Sequence, residues 1–357
     1  MKRTVMTVLV LSFFIFAGAA YAADETMPAE DSPQQESLQR VEKVVYGAPG
    51  AGGMFMRLAR VERDLFGMEL PGSLTERQQA LLNFVEEGTP TQPSLVFKIN
   101  VAEWVTLNKV NPSLPLADRT SNLEMSLEGE PQMGALSARL ERILTKLLPN
   151  GVLSSPVQVP ATTVFKAAFA KTLTVRNVAK GDIVELNVTE DFVTGGILAV
   201  AKGDRVFGEV TKVKMPRSFG RTSEISIEFK EIETVGGRRI PVTLGAQAKK
   251  AMEIDSGTIG AAGASSGGAI GLGPLGVAGG FLVRGSEKQI PEGSMMYVET
   301  TEAATVTGYP TSGVPAAASP AAIPTGETYY NAPADTQQPS DFVPIDGSGQ
   351  TPPPGEN

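Results

Sequence analysis

Three short strings in this 357-residue chain have the spacing of chemical sites. Gly263-Ala264-Ser265-Ser266-Gly267 matches the Gly-x-Ser-x-Gly elbow that presents a nucleophilic serine. Gly271-Leu272-Gly273-Pro274-Leu275-Gly276 matches a dinucleotide-binding loop, and Glu190-Asp191 is the only adjacent acid pair in the β-rich half. None is followed through by its surroundings. The chain has no histidine and no cysteine, so the elbow lacks its usual base, and thiol catalysis and imidazole metal sites are excluded. Pro274 removes an amide that a pyrophosphate would use, and no βαβ unit surrounds it. Adjacent strand residues face opposite ways, which separates the two carboxylates of 190 and 191 unless a turn bends them together. The sequence therefore predicts no catalytic residue, no metal site and no cofactor, and a non-enzymatic protein.

Two stretches are candidates for contact rather than catalysis. Lys202, Arg205, Lys212, Lys214, Arg217 and Arg221 form a basic run around a loop at 212–221, set against Asp204 and Glu209, and could meet anionic glycan or lipid head groups. Ser256 to Val283 carries no charge until Arg284 and holds ten glycines. Gly260, Gly263, Gly267 and Gly271 recur at three- and four-residue intervals, the spacing of a glycine zipper that lets helices approach closely. Packing on its own domain or another copy, entry into a membrane, and a flexible loop all remain open readings of it.

The elements that hold these stretches follow from pattern. Met1-Lys2-Arg3, an apolar run from Thr4 to Phe16 and Ala20-Tyr21-Ala22 have the three parts of a secretory signal peptide (1–22), with cleavage expected between Ala22 and Ala23. Export to the periplasm or an outer-membrane-associated position follows. Residues 23–39 read as a disordered acidic linker. Residues 308–357 read as a disordered tail, since ten prolines and no lysine or arginine fall in the last 49 residues. The acidity resides in these ends, and 38–308 balances at 29 charges of each sign, which argues against nucleic acid as a partner.

Residues 40–150 contain an internal repeat. Arg57, Glu62, Leu65, Gly67, Gly72, Leu74 and Arg77 match Arg119, Glu124, Leu127, Gly129, Gly134, Leu136 and Arg139 at an offset of 62 without a gap. Each unit reads as helix, glycine loop and helix, with Glu62 expected to meet Arg77 and Glu124 to meet Arg139. Between the units, Leu95, Phe97, Ile99 and Val101 alternate with Val96, Lys98 and Asn100, which predicts one strand. Trp104, the single tryptophan, follows and is expected to anchor packing.

Residues 155–307 read as a β-domain. Val178-Ala179-Lys180-Gly181-Asp182 recurs as Val200-Ala201-Lys202-Gly203-Asp204, with a looser copy at Ile290-Pro291-Glu292-Gly293-Ser294, and an alternating run follows each. Further strands are expected at 165–169, 225–229 and 240–244, with a hairpin at Gly236-Gly237. The predicted class is α+β: a helical repeat region, then a small β-barrel-like or sandwich-like domain with a glycine-zipper insert, and disordered tails.

The string Arg57-Leu58-x-x-Val61-Glu62-x-x-Leu65-Phe66-Gly67 resembles a repeat of secreted surface proteins of diderm bacteria. The β-domain, with Val200 to Val210 and the glycine-rich insert before Ile290-Pro291-Glu292-Gly293, resembles uncharacterised cell-envelope proteins of the same kind. It is distantly similar to the barrel-forming subunit of conjugation channels, in which such strands frame a membrane-directed helical insertion. The charge-free stretch points to association with an envelope component, the membrane or a second copy, and the resemblance implies no catalytic residue.

Overall fold

A computed structural model describes residues 33–89, 91–215, 223–261, 280–285 and 289–311, with side chains left out at 256–261, 223 and 280–285. The signal segment with Ala22 and Ala23, Arg217 and Arg221, Gly263, Gly267 and Gly271, and the proline-rich tail from residue 312 lie outside the described residues.

The first half is helical: α1 (Pro33–Tyr46), α2 (Met54–Phe66), α3 (Leu74–Leu82), a π-helical turn (Asn83–Glu87), α4 (Leu95–Leu107), α5 (Leu116–Glu128) and α6 (Leu136–Leu147). Left-handed Gly67 and Gly129 end α2 and α5 as the repeat predicts, and Ser73 with Glu76 forms the capping box of α3. Two expectations are corrected. The acidic linker does not extend to residue 39, because α1 begins at Pro33 and buries Leu38, Val41 and Val45. Its apolar positions are too sparse to announce a helix, and its order comes from tertiary packing.

The expected strand at 95–101 is helix α4, capped by Ser94, whose hydroxyl accepts from the Phe97 amide. Leu95, Phe97, Ile99, Asn100, Val101, Ala102 and Glu103 are all buried. A helix at the centre of a bundle is covered on most sides and shows no apolar stripe, so a chance period of two took its place.

The second half contains β1 (Ser155–Val159), β2 (Val164–Phe169), β3 (Leu173–Thr174), β4 (Ile183–Val188), β5 (Phe192–Thr194), β6 (Ile197–Val200), β7 (Arg205–Lys214), β8 (Ser223–Glu233) and β9 (Arg239–Thr243). Helix α7 (Ala246–Ala261), β10 (Gly280–Gly285), β11 (Gln289–Ile290), β12 (Met295–Thr300) and β13 (Ala304–Pro310) complete it. Strands β8, β7, β4, β2, β12 and β9 pair antiparallel in that order, and β9 returns to β8, closing a six-stranded barrel. The barrel form, left open against a sandwich by the sequence, is thereby decided. Closure leaves few strand edges to be managed. Phe165, Phe169, Leu186, Val206, Ile227, Phe229 and Val298 fill it.

The recurring turn does the same work three times. Gly181, Gly203 and Gly293 each have positive φ. Their amides donate to the carbonyls of Val210, Val188 and Phe169, and those same residues donate back to the carbonyls of Asp182, Asp204 and Ser294. Each turn thus ties the start of one barrel strand to its neighbour.

A second sheet, β1-β13-β6-β5, joins barrel to helices. Strand β6 gives Ala199 and Val200 to the barrel core and Leu198 to the helical core, which Ala201, Val235 and Tyr309 also enter. Strand β13 reaches Pro310, three residues beyond the expected domain end, because Tyr309 is buried against the helices and Trp104.

Candidate functional site

The acidic candidates do not converge. Asp191 accepts from the Trp104 indole at 2.8 Å and from the Lys202 amide at 2.6 Å, which makes it a link between helices and sheet. Glu190 is exposed beside it, and Glu228 lies on β8, paired with Lys230 at 2.8 Å. Trp104 packs edge-on to Tyr309 with ring centres 6.0 Å apart, the anchoring role expected of it. Among the described residues no group of three or more acidic side chains is placed to hold a metal ion.

The basic run is divided. Lys212 and Lys214 are on strand β7 rather than in a loop, and both reach the buried carboxylate of Glu224 on β8, at 2.9 and 3.0 Å. Lys212 foremost, then Lys214, holds the Glu224 carboxyl below its ordinary range. Arg205 is likewise committed to Glu233, at 2.8 Å.

The root of the glycine-rich insert is well built. Helix α7 carries Gly260 near its end and enters the insert from the barrel wall; Ala248 and Met252 are buried in the barrel core. Glu299 of β12 accepts from the Ala248 amide at 2.6 Å, acting as a cap from outside the helix. A side chain at Gly245 would collide with Glu299, its Cβ only 1.8 Å from the carboxylate oxygen. At the other end Asp255 accepts from the Tyr297 hydroxyl at 2.9 Å and meets Lys166 at 3.0 Å. Lys166 first, then Tyr297, depresses the Asp255 carboxyl.

The chain returns as β10, whose residues 280–285 pair with β8 from Glu228 to Ser223. The insert expected at 256–283 is therefore shorter than its composition suggests. Its first residues extend α7 to Ala261 and its last belong to β10, so 18 residues, 262–279, connect a helix packed on the barrel to a strand paired with its β8. Among the described residues no helix is long and apolar enough to cross a membrane.

The helical repeat carries four buried ion pairs of one design. Glu62 meets Arg77 and Glu124 meets Arg139, as the spacing predicts; Glu42 with Arg57 and Glu103 with Arg119 repeat the arrangement. In each, Arg Nε donates to Glu Oε1 over 2.9 to 3.1 Å. The other carboxylate oxygen accepts from a loop amide eight residues on, at Gly50, Leu70, Asn111 and Gln132. A guanidinium fork and one backbone amide thus satisfy a carboxylate that water does not reach. The common separation of 15 residues from Glu42 to Arg57 was a visible signal for the third pair. The fourth is stretched to 16 and follows the segment misread as a strand.

Fold and site define a two-module α+β protein in which an ion-paired helical bundle is seated on a closed barrel that carries, on α7 and β10, both ends of a charge-free segment. No protein-family model matches the chain. No curated protein matches it. Among solved structures, one that is similar in part is ComB10 of the Com type IV secretion system of Helicobacter pylori, at 15% identity, with 41% of this chain and 88% of that chain covered and a TM-score of 0.22.

Proposed function

We propose that the protein is an exported, non-enzymatic component of the cell envelope that acts as a scaffold. Its glycine-rich segment makes the contact, with the membrane, a partner or a second copy. The observation that carries this reading is the construction of the insert root. Glu299, Gly245 and the Asp255–Lys166–Tyr297 cluster fix α7 on the barrel, and β10 fixes the return, so a charge-free segment is presented from a rigid mount. Small residues favour close backbone approach once a partner surface is available. The acids weighed for catalysis are committed to other contacts or stand apart, which supports a role through surfaces.

Fractionation of native cells, followed by carbonate and detergent extraction, tests the reading. Replacement of Gly267 and Gly271 by leucine is expected to change the fraction or the oligomeric state. Unchanged behaviour of that variant would sink it.

A further inference from the structure

The two identical pentapeptides form a built-in comparison. In both, the aspartate Oδ2 accepts from the alanine amide three residues earlier at 2.7 Å, and the aspartate amide donates to that alanine's carbonyl. Sequence and turn are the same, and the surroundings differ. Asp182 is exposed. Asp204 is wholly buried, and its Oδ1 has no hydrogen-bond partner among the described residues.

The second turn lies where the helical bundle meets the β-domain. The Val110 amide, in the loop between α4 and α5, donates to the Lys202 carbonyl at 2.8 Å. A Cβ on Gly203 would fall 2.0 Å from the Val110 carbonyl oxygen, so the two backbones touch. Three charged groups face Asp204: Arg119 from α5, the next residue Arg205 at the start of β7 and Glu233 at the end of β8. Both arginines are already engaged, Arg119 with Glu103 and Arg205 with Glu233. The carboxyl is therefore out of solvent beside charges that are already paired with one another, with one oxygen unpartnered, and its neutral form is the less costly one to bury there.

We infer that Asp204 is a proton-linked latch: the helical bundle docks on the barrel with a neutral carboxyl at 204, and the two modules part more readily as the pH rises. Burial pushes this carboxyl well above the ordinary aspartate value, with the neighbouring Glu233 charge adding to the effect. The sign follows from linkage. A group whose pKa is raised on docking contributes fully below its undocked pKa, and that contribution is lost as the pH climbs through the docked value. With no histidine or cysteine in the chain, the usual titrants of the neutral range are absent. Glu86 and Asp118, each raised chiefly by burial, are competing groups.

Trp104 reports on this interface in the full chain, since it is the only tryptophan and bonds across it to Asp191. Acrylamide quenching is measured from pH 5 to 8.5 for wild type, Asp204→Asn, Asp182→Asn and Glu86→Gln. Quenching is expected to rise with pH in wild type, D182N and E86Q, the opening constant changing by up to about tenfold per pH unit between the undocked and docked pKa values. D204N is expected to be flat. A flat wild type, a D204N profile like wild type, or a slope that vanishes in E86Q overturns the inference. If D204N does not fold, carbon-13 carboxyl titration of the wild-type chain decides: Asp204 must titrate well above the ordinary aspartate range, and a midpoint within that range overturns the latch.

Discussion

Gly203 and Val110 are in backbone contact, and that contact joins the two modules: an added Cβ at 203 would lie 2.0 Å from the Val110 oxygen. Gly181, at the same place in the other pentapeptide, has nearly the same φ, 93° against 97°, and open space around it. The two glycines therefore separate backbone strain from crowding. Gly181→Ala is expected to cost about 1 kcal/mol, the price of a left-handed conformation alone. Gly203→Ala adds overpacking and is expected to cost about 2–4 kcal/mol. Denaturant unfolding checks the difference, and equal losses would show that Val110 simply moves aside.

The four clamps allow a sharper test than the loss of one partner. Arg77→Met leaves Glu62 buried beside a single loop amide and is expected to destabilise by about 3–5 kcal/mol. Adding Glu62→Met removes the stranded charge. The double variant is expected to return to within about 1–2 kcal/mol of wild type, short of full recovery by the lost acceptor for the Leu70 amide. A double variant no more stable than R77M would mean that the pair itself, rather than the cost of breaking it, holds the bundle.

These relationships divide by how far apart in sequence their parts lie. The turn-strand units were legible because Gly181 and Gly203 are each followed within three residues by an alternating run. The clamps were legible where the 62-residue repeat displayed them, at Glu62–Arg77 and Glu124–Arg139. Helix α4 was not, because Lys98 and Asn100 look like the polar face of a strand until Val235 and Arg119 supply the buried partners of Asn100. Strands β1, β5, β6 and β13 escaped notice for a similar reason: they owe their order to one another, in a sheet whose partners lie far apart in the chain. Nothing near residue 204 distinguishes its aspartate from Asp182, since the helices that cover it lie about 90 residues earlier in the chain.

At the insert root the pH dependence runs the other way from that of Asp204. Asp255 is depressed by Lys166 and Tyr297, so its contribution is present above the unfolded aspartate value and is lost as the pH falls through the folded one. The cluster is partly exposed, which limits its worth to about 1 kcal/mol or less. Asp255→Asn is expected to leave global unfolding nearly unchanged while increasing hydrogen exchange in α7 at neutral pH, with little further increase in acid. Unaltered α7 protection in that variant would place the helix's anchorage at Glu299 and the Met252 packing instead.

Glu224 decides whether the lysines of β7 can act on an anionic surface. Lys212 and Lys214 both close on it, and its carboxyl is held low by them, so it stays ionised through the neutral range. Wild-type association with vesicles containing anionic lipid is therefore expected to depend little on salt, because the proposed contact is the charge-free segment. Glu224→Gln removes the competing carboxylate and adds one net positive charge beside two half-exposed lysines, worth about 1 kcal/mol near such a surface. Retention is expected to rise several-fold at low ionic strength and to fall back to the wild-type level near 0.5 M salt, where screening is strong. Strongly salt-sensitive retention of the wild type, with no gain in E224Q, would instead assign the contact to cations beyond this pair and remove the glycine-rich segment from the principal role.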